Sequence, residues 1–234
     1  MFMKKNPASL RLTLRALGYL LRYPDAQLRA VLPQLLDALQ LEQALTPERM
    51  AEIEALCRHL AALDPMEAEA RYVDQFDRGR RTSLHLFEHV HGDSRERGPA
   101  LVDLLQTYAQ AGLQFDADEL PDHLPVVLEF ASTQPPELAR EFLGEMAHIL
   151  NALFSALLAQ ASPYASVVAA VLEVAGQRAQ PVALPPEPSM DEAWAEPEAF
   201  GGCSTQGQAK PGQPQPVQFV RNPRAERAPQ GASV

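Results

Sequence analysis

Apolar residues recur through the first 176 residues of this chain at the spacing of a single helix face, and that periodicity points to an all-helical fold. Leu10, Leu14, Leu17 and Leu21 share one face. Leu28, Val31, Leu32, Leu35, Leu36 and Leu39 repeat the pattern around Pro33, where a kink or restart is expected. Thr46-Pro47 reads as an N-cap and first-turn proline, followed by a stripe of Met50, Ile53, Cys57 and Leu60. Asp64 and Glu67 have the spacing of a capping box. Thr82 or Ser83 is expected to cap a short helix that stops at Gly92. Gly98-Pro99 opens another, with Leu101, Leu104, Leu105 and Tyr108 inward. A further helix follows Asp122 and carries Leu124, Val127, Leu128 and Ala131. After Pro135-Pro136 the spacing predicts the longest helix, through Leu138, Phe142, Ile149, Leu150, Leu153 and Leu157. Ser162-Pro163 opens the last, with Val167, Val168, Val171 and Leu172 on one side. No period-two strand pattern and no fixed-length repeat interrupts the series.

Composition sets the domain limits. The chain has 234 residues and is 46% hydrophobic, enough for one compact multi-helix domain, expected over residues 10–176 after a flexible 1–9. Residues 177–234 hold ten of the 21 prolines and few large apolar side chains. They cannot bury enough surface to offset ordering entropy, so a largely disordered tail is expected there. Within it, Glu187 to Glu198 is acidic and Lys210 to Arg227 is mainly basic, with Trp194 and Phe200 as apolar anchors available to a partner or a groove. The formal net charge of −10 disfavours nucleic acid and suits a basic protein segment. The two cysteines, Cys57 and Cys203, form no metal-type pair; Cys57 reads as a core thiol, and a reducing compartment fits both. Lys4-Lys5 is followed by an apolar run too short for a signal core, and no stretch approaches the ~20 apolar residues of a membrane span, so a cytoplasmic location without membrane insertion is expected.

Three segments carry candidate chemistry. His85-Leu86-Phe87-Glu88-His89 is an H-x-x-E-H pattern, and on a helix its two imidazoles would share a face and hold zinc while Glu88 activated water. The third ligand would have to come from elsewhere, Glu141 or Glu145 being available carboxylates, and structural or groove-lining histidines are the competing reading. Asp77-Arg78-Gly79-Arg80-Arg81 is a basic cluster that either binds an anion or pairs with neighbouring acids. Asp116, Asp118 and Glu119 read as acidic residues at a helix start rather than an acid–base pair. Leu120-Pro121-Asp122-His123-Leu124-Pro125 frames an Asp-His pair between two prolines. There Asp122 either caps the next helix or lines a groove that meets a basic peptide. Walker-type loops, dinucleotide fingerprints and nucleophile elbows are missing from the sequence, and no enzyme activity, cofactor or metal is expected.

Two stretches together resemble one family. Phe76 to Arg95 and Leu120 to Phe130 are similar to the NarJ-type chaperones of respiratory nitrate reductase. Val102-Asp103-Leu104-Leu105, Ala111-Gly112-Leu113, Leu21-Arg22-Tyr23-Pro24-Asp25 and Asp191-Glu192-Ala193-Trp194 support the likeness. The resemblance implies an all-helical chaperone, not an enzyme. It implies binding of the N-terminal segment of the nitrate reductase catalytic (alpha) subunit, a twin-arginine remnant, as a helix in an apolar groove. The client would be kept competent for molybdenum cofactor and iron–sulfur insertion before membrane docking, with molybdenum cofactor delivery proteins as further partners. Asp122 and His123 align with an Asp-His motif of the wider family. His85 stands where an aliphatic residue is usual, which argues against a family-wide zinc role. The expected client contacts are Phe87, Glu88, His89, Asp122, His123, Leu124 and Glu129. The rival functions are a zinc-dependent hydrolase built on 85–89 and a same-fold chaperone for another molybdoenzyme.

Overall fold

A computed structural model describes residues 9–92, 94–116 and 119–183. Among these the chain is all-α, as the periodicity predicts, and only one isolated β-bridge interrupts the helices. The helices are α1 (Arg11–Leu20), α2 (Ala26–Glu42), α3 (Pro47–Ala62), α4 (Pro65–Phe76), α5 (Glu88–His91), α6 (Arg97–Gln110), α7 (Leu124–Ser132), α8 (Pro136–Glu145), α9 (Ala147–Ala159) and α10 (Ala165–Val174), with a 3-10 turn at Arg80–Thr82.

The leucine stripes face inward. Leu10, Leu14, Leu17 and Leu21 are buried, as are Leu28, Leu32 and Leu39 of α2 and Ile53, Leu56, Cys57 and Leu60 of α3. Burial pushes the Cys57 thiol up to about 11, so it stays protonated. In α10, Val167, Val168, Val171 and Leu172 all lack exposure, and this helix packs against α9 and α3. Helix α1 packs mainly on α7, and Gly18 permits the close approach: a β-carbon there would lie 3.3 Å from Pro125 O and 3.4 Å from Leu128 Cβ.

Two helix starts are capped from a distance. The α1 start has no side-chain cap of its own; Glu42, at the end of α2, accepts from Leu12 N–H at 3.2 Å and Thr13 N–H at 2.7 Å. At α3, Thr46 caps Arg49 N–H, while Glu173 of α10 accepts the Thr46 N–H at 2.7 Å and lies 3.6 Å from Arg49 Nε. Each carboxylate satisfies orphan N–H groups and faces a positive dipole end.

The structure departs from the periodicity at several points. Pro33 sits within α2, which continues through it and is the longest described helix at 17 residues. The long helix expected after Pro136 is two helices, α8 and α9, bent by 67° at Met146. There the Met146 N–H bonds to Leu143 O rather than one residue further back, and Gly144 lowers helix propensity just before the break. No single described helix is long and apolar enough to cross a membrane. The helix expected from Thr82 or Ser83 to Gly92 shrinks to the single turn of α5, for a reason that lies in the site below. Because α7 begins only at Leu124, Asp116 and Glu119 do not lie on its first turn. Beyond Gly176 the chain turns back along α9: Gln180 N–H donates to Asn151 Oδ1 and Val182 N–H to Ser155 Oγ, both at 2.8 Å. The expectations for residues 1–8 and 184–234, Cys203 and Trp194 included, fall outside the described residues.

Candidate functional site

The two stretches that carry the sequence resemblance form one unit. Leu86 N–H donates to Asp122 O at 3.1 Å, and Leu124 N–H donates to Leu84 O at 2.8 Å. These bonds make an antiparallel bridge in which His85 stands opposite His123, their rings 5.0 Å apart. The bridge claims the Leu86 N–H and the Leu84 carbonyl, so regular helix is excluded at 84–85; the chain turns through Leu86 and Phe87, and helix starts only at Glu88. Tyr108 of α6 adds a third tie, its hydroxyl donating to Pro121 O at 2.8 Å.

Asp122 sits at the centre of this unit with no exposed surface. It is not the cap of α7: the N-cap position belongs to His123, which makes no side-chain cap bond. Instead Asp122 Oδ2 accepts the Phe87 N–H at 3.0 Å and lies 3.8 Å from Arg97 Nη2, while Oδ1 faces His85 Nδ1 at 3.5 Å. Burial acts to raise the Asp122 carboxyl, but the His85 imidazole, the Phe87 N–H and the Arg97 guanidinium together hold it below the ordinary carboxylate value. Reciprocally, Asp122 raises His85 against the effect of burial. His123 goes the other way. Burial of its ring outweighs Glu119 and brings it down to about 4, so it is neutral near pH 7.

The H-x-x-E-H pattern does not become a zinc-binding helix face. His85 lies in the bridge, outside α5, with Nδ1 toward Asp122. His89 Nε2 lies 2.9 Å from Ser83 O, and Glu88 bonds Arg97 Nη1 at 3.0 Å. Among the described residues no group of three His, Cys, Asp or Glu side chains is placed to hold a metal ion. In the basic cluster, Arg78 pairs with Asp74 at 2.9 Å.

The expected client contacts therefore divide. Phe87, Glu88, His89 and His123 are half-buried around the bridge. Asp122 and Leu124 lie fully beneath the surface, and a partner docking on this conformation cannot touch them. Glu129 is exposed on α7 and pairs with Arg15 of α1 at 3.3 Å.

Beside the bridge opens a cleft of about 470 Å³, walled by Phe76, Arg78, Gly79, Ser83, His85 and Glu88. Arg78 also borders a second cleft of about 290 Å³, lined by Tyr23, Met66, Glu69, Ala70 and Val73. Tyr23 in turn borders a third, of about 220 Å³, with Tyr19, Arg22, Asp25 and Leu28. Neighbouring clefts thus share a wall residue, Arg78 between the first and second and Tyr23 between the second and third. Tyr23 and Met66 are 45% and 78% exposed, large apolar surface with acidic groups Asp25, Glu69 and Asp74 nearby. Neither residue was among the expected contacts. The Leu21 to Asp25 stretch was a signal for Tyr23; nothing in the local sequence singles out Met66.

The nitrate reductase delta subunit family model matches residues 22–170, a span that includes both bridged stretches. The nitrate reductase molybdenum cofactor assembly chaperone NarJ of Escherichia coli is 44% identical over 156 residues, 67% of this chain and 66% of that protein. This match spans just under two thirds of that relative's length. A second Escherichia coli protein, named "Probable nitrate reductase molybdenum cofactor assembly chaperone NarW", is 40% identical over 70% of this chain and 68% of its own. The Bacillus subtilis protein named "Probable nitrate reductase molybdenum cofactor assembly chaperone NarJ" is 34% identical, with 74% of this chain matched to 95% of it.

Proposed function

The chain belongs to the nitrate reductase delta subunit family, and from that premise we propose that it is a maturation chaperone, not an enzyme, dedicated to a nitrate reductase. The observation that carries this reading is the family match across 22–170, which takes in the whole bridged unit and the clefts beside α4. The client is the N-terminal segment of the catalytic subunit, held in the cytoplasm while molybdenum cofactor and iron–sulfur cluster are inserted, with molybdenum cofactor delivery proteins as visiting partners. The chaperone supplies no metal or cofactor of its own.

The cleft series suits an amphipathic helix laid along α4. Tyr23, Met66 and Val73 offer apolar surface, and burying it drives association. The clefts carry carboxylates at Asp25, Glu69, Asp77 and Glu88 and guanidinium groups at Arg22, Arg78 and Arg80; the carboxylates would meet basic side chains of the segment, which aids partner choice more than raw affinity. His85 and Glu88 line the far end, and Phe87, His89 and His123 belong to the bridged unit behind them. Asp122 and Leu124 serve by holding that end in place.

Co-purification of the full chain from cells, followed by identification of the bound client, tests the function. Calorimetric titration with the N-terminal peptide of the catalytic subunit tests the site. Recovery of the nitrate reductase catalytic subunit and saturable peptide binding are expected. Recovery of a different molybdoenzyme would reassign the client, and no binding of the peptide at any pH would remove the cleft model.

A further inference from the structure

A guanidinium already sits between the two acidic groups at the centre of the bridged unit, and it is the chain's own. Arg97, in the first turn of α6, reaches Glu88 Oε1 with Nη1 at 3.0 Å and approaches Asp122 Oδ2 with Nη2 at 3.8 Å. A cation is disfavoured at a helix N-terminus, so these carboxylates are what hold it there. The hold is incomplete. Arg97 Nε and Nη2 are buried without a hydrogen-bond partner, where a good arginine–carboxylate fork would satisfy both; Asp122 Oδ1 is turned toward His85 instead. Glu88 has two faces. It bonds Arg97 on the α6 side and forms part of the wall of the 470 Å³ cleft, with its side chain 29% exposed. An arginine entering that cleft meets the same carboxylate that Arg97 uses.

We propose that Arg97 competes with the guanidinium of an arginine-bearing partner segment for Glu88, so that engagement of Glu88 by the partner loosens Arg97 and, through Asp122, the segment 84–91 with its short helix α5. The inference rests on the client reading above and names the group the cleft selects. Exchange of one guanidinium for another on Glu88 is nearly balanced, so the partner's affinity is reduced by whatever Arg97 gains in place. The guanidinium displaced from Glu88 is the one that also ties α6 to Asp122, and Asp122 holds Phe87 N–H. Occupancy of the cleft is thereby coupled to the order of the loop beside it.

The test compares the full-length wild type with Arg97→Gln, using a synthetic amphipathic basic peptide and the same peptide with its arginines replaced by glutamine. The glutamine variant keeps N–H donors near both carboxylates but removes the competing charge. It is expected to bind the arginine peptide about threefold to tenfold more tightly, a gain of roughly 1 kcal/mol. The gain should vanish with the glutamine peptide and in the double variant Arg97→Gln, Glu88→Gln. A purely structural role predicts the opposite sign, weaker binding. Equal or weaker binding by folded Arg97→Gln, or an equal gain for both peptides, overturns the proposal. Should Arg97→Gln fail to fold, the wild type still decides. The NMR signal of the Arg97 Nε–H should shift on saturation with the arginine peptide and not with the glutamine peptide, and an unmoved signal overturns the proposal. If the wild type and the variant bind neither peptide, the client reading fails and this inference with it; binding of both peptides with no effect at Arg97 removes only this inference.

Discussion

The carboxylate of Asp122 accepts the backbone N–H of Phe87 at 3.0 Å, and the two residues lie 35 positions apart in the chain. This single bond, with two backbone bonds beside it, turns two separate sequence stretches into one rigid junction. It also explains why Asp122 resists assignment from sequence: the residue type suits a cap, but its charge is spent inside the protein.

Asp122→Ala should destabilise the fold by about 3 kcal/mol, because it strands the Arg97 and His85 groups that Asp122 compensates and unties Phe87. Chemical denaturation measures this directly. A loss below about 0.5 kcal/mol, the size of a surface substitution, would contradict the buried-clip role.

The histidines of the bridge should give opposite pH dependences. The His123 value is lowered to about 4, so between its unfolded value near 6.5 and about 4 the unfolded state takes up a proton that the folded state refuses. Stability contributed by neutral His123 is thus present above pH 6.5 and falls with acidification, by up to about 3 kcal/mol. His85 is raised, so its contribution is complete below its unfolded value and is lost as pH rises through its folded one. Denaturation of His123→Gln across pH 4–7 should show a flatter acid limb than the wild type; superimposable curves would refute the assignment to His123.

Replacing Tyr23 and Met66 together with serine should weaken client-peptide binding about tenfold or more, with a smaller loss of stability from the Tyr23 edge contact on Tyr72 and its bond to Glu69. Calorimetry paired with a thermal melt separates the two effects. Unchanged affinity would move the client site away from α4.

At Gly18 the size of the substituent decides the sign. Alanine gains about 1 kcal/mol of helix propensity against a tight 3.3 Å contact with Pro125 O, and the two should nearly cancel. Valine adds methyl groups that α7 cannot accommodate and should cost about 1–3 kcal/mol. Thermal unfolding of the two variants checks the contrast, and equal midpoints would show that the α1–α7 contact is looser than described.

The leucine stripes were legible because burial of a helix face follows from spacing along one segment, and Leu14, Leu17, Leu150 and Leu153 all lie where the period puts them. The elements that misread are those where distant groups outbid local preference. Residues 84–87 carry a helical pattern, yet Asp122 takes the Leu86 N–H with its backbone and the Phe87 N–H with its side chain, and Leu124 N–H takes the Leu84 carbonyl. The break at Met146 has only a weak local signal, Gly144 two residues before it, and shows in the Met146 N–H bonding to Leu143 O. Arg97, a lone arginine at the start of α6, has no local signature in the sequence.

By itself the sequence determined the all-helical class, most of the inward faces and the family. Those depend on short-range periodicity and on residue identity, which the chain states directly. The tertiary structure alone decided that Asp122 is a buried clip rather than a cap or an exposed contact, that His85 and His89 point to different partners, and that Arg97 joins Glu88 to Asp122. Each of these turns on which groups meet across a gap in sequence, and a buried charge takes its role from the partners that compensate it.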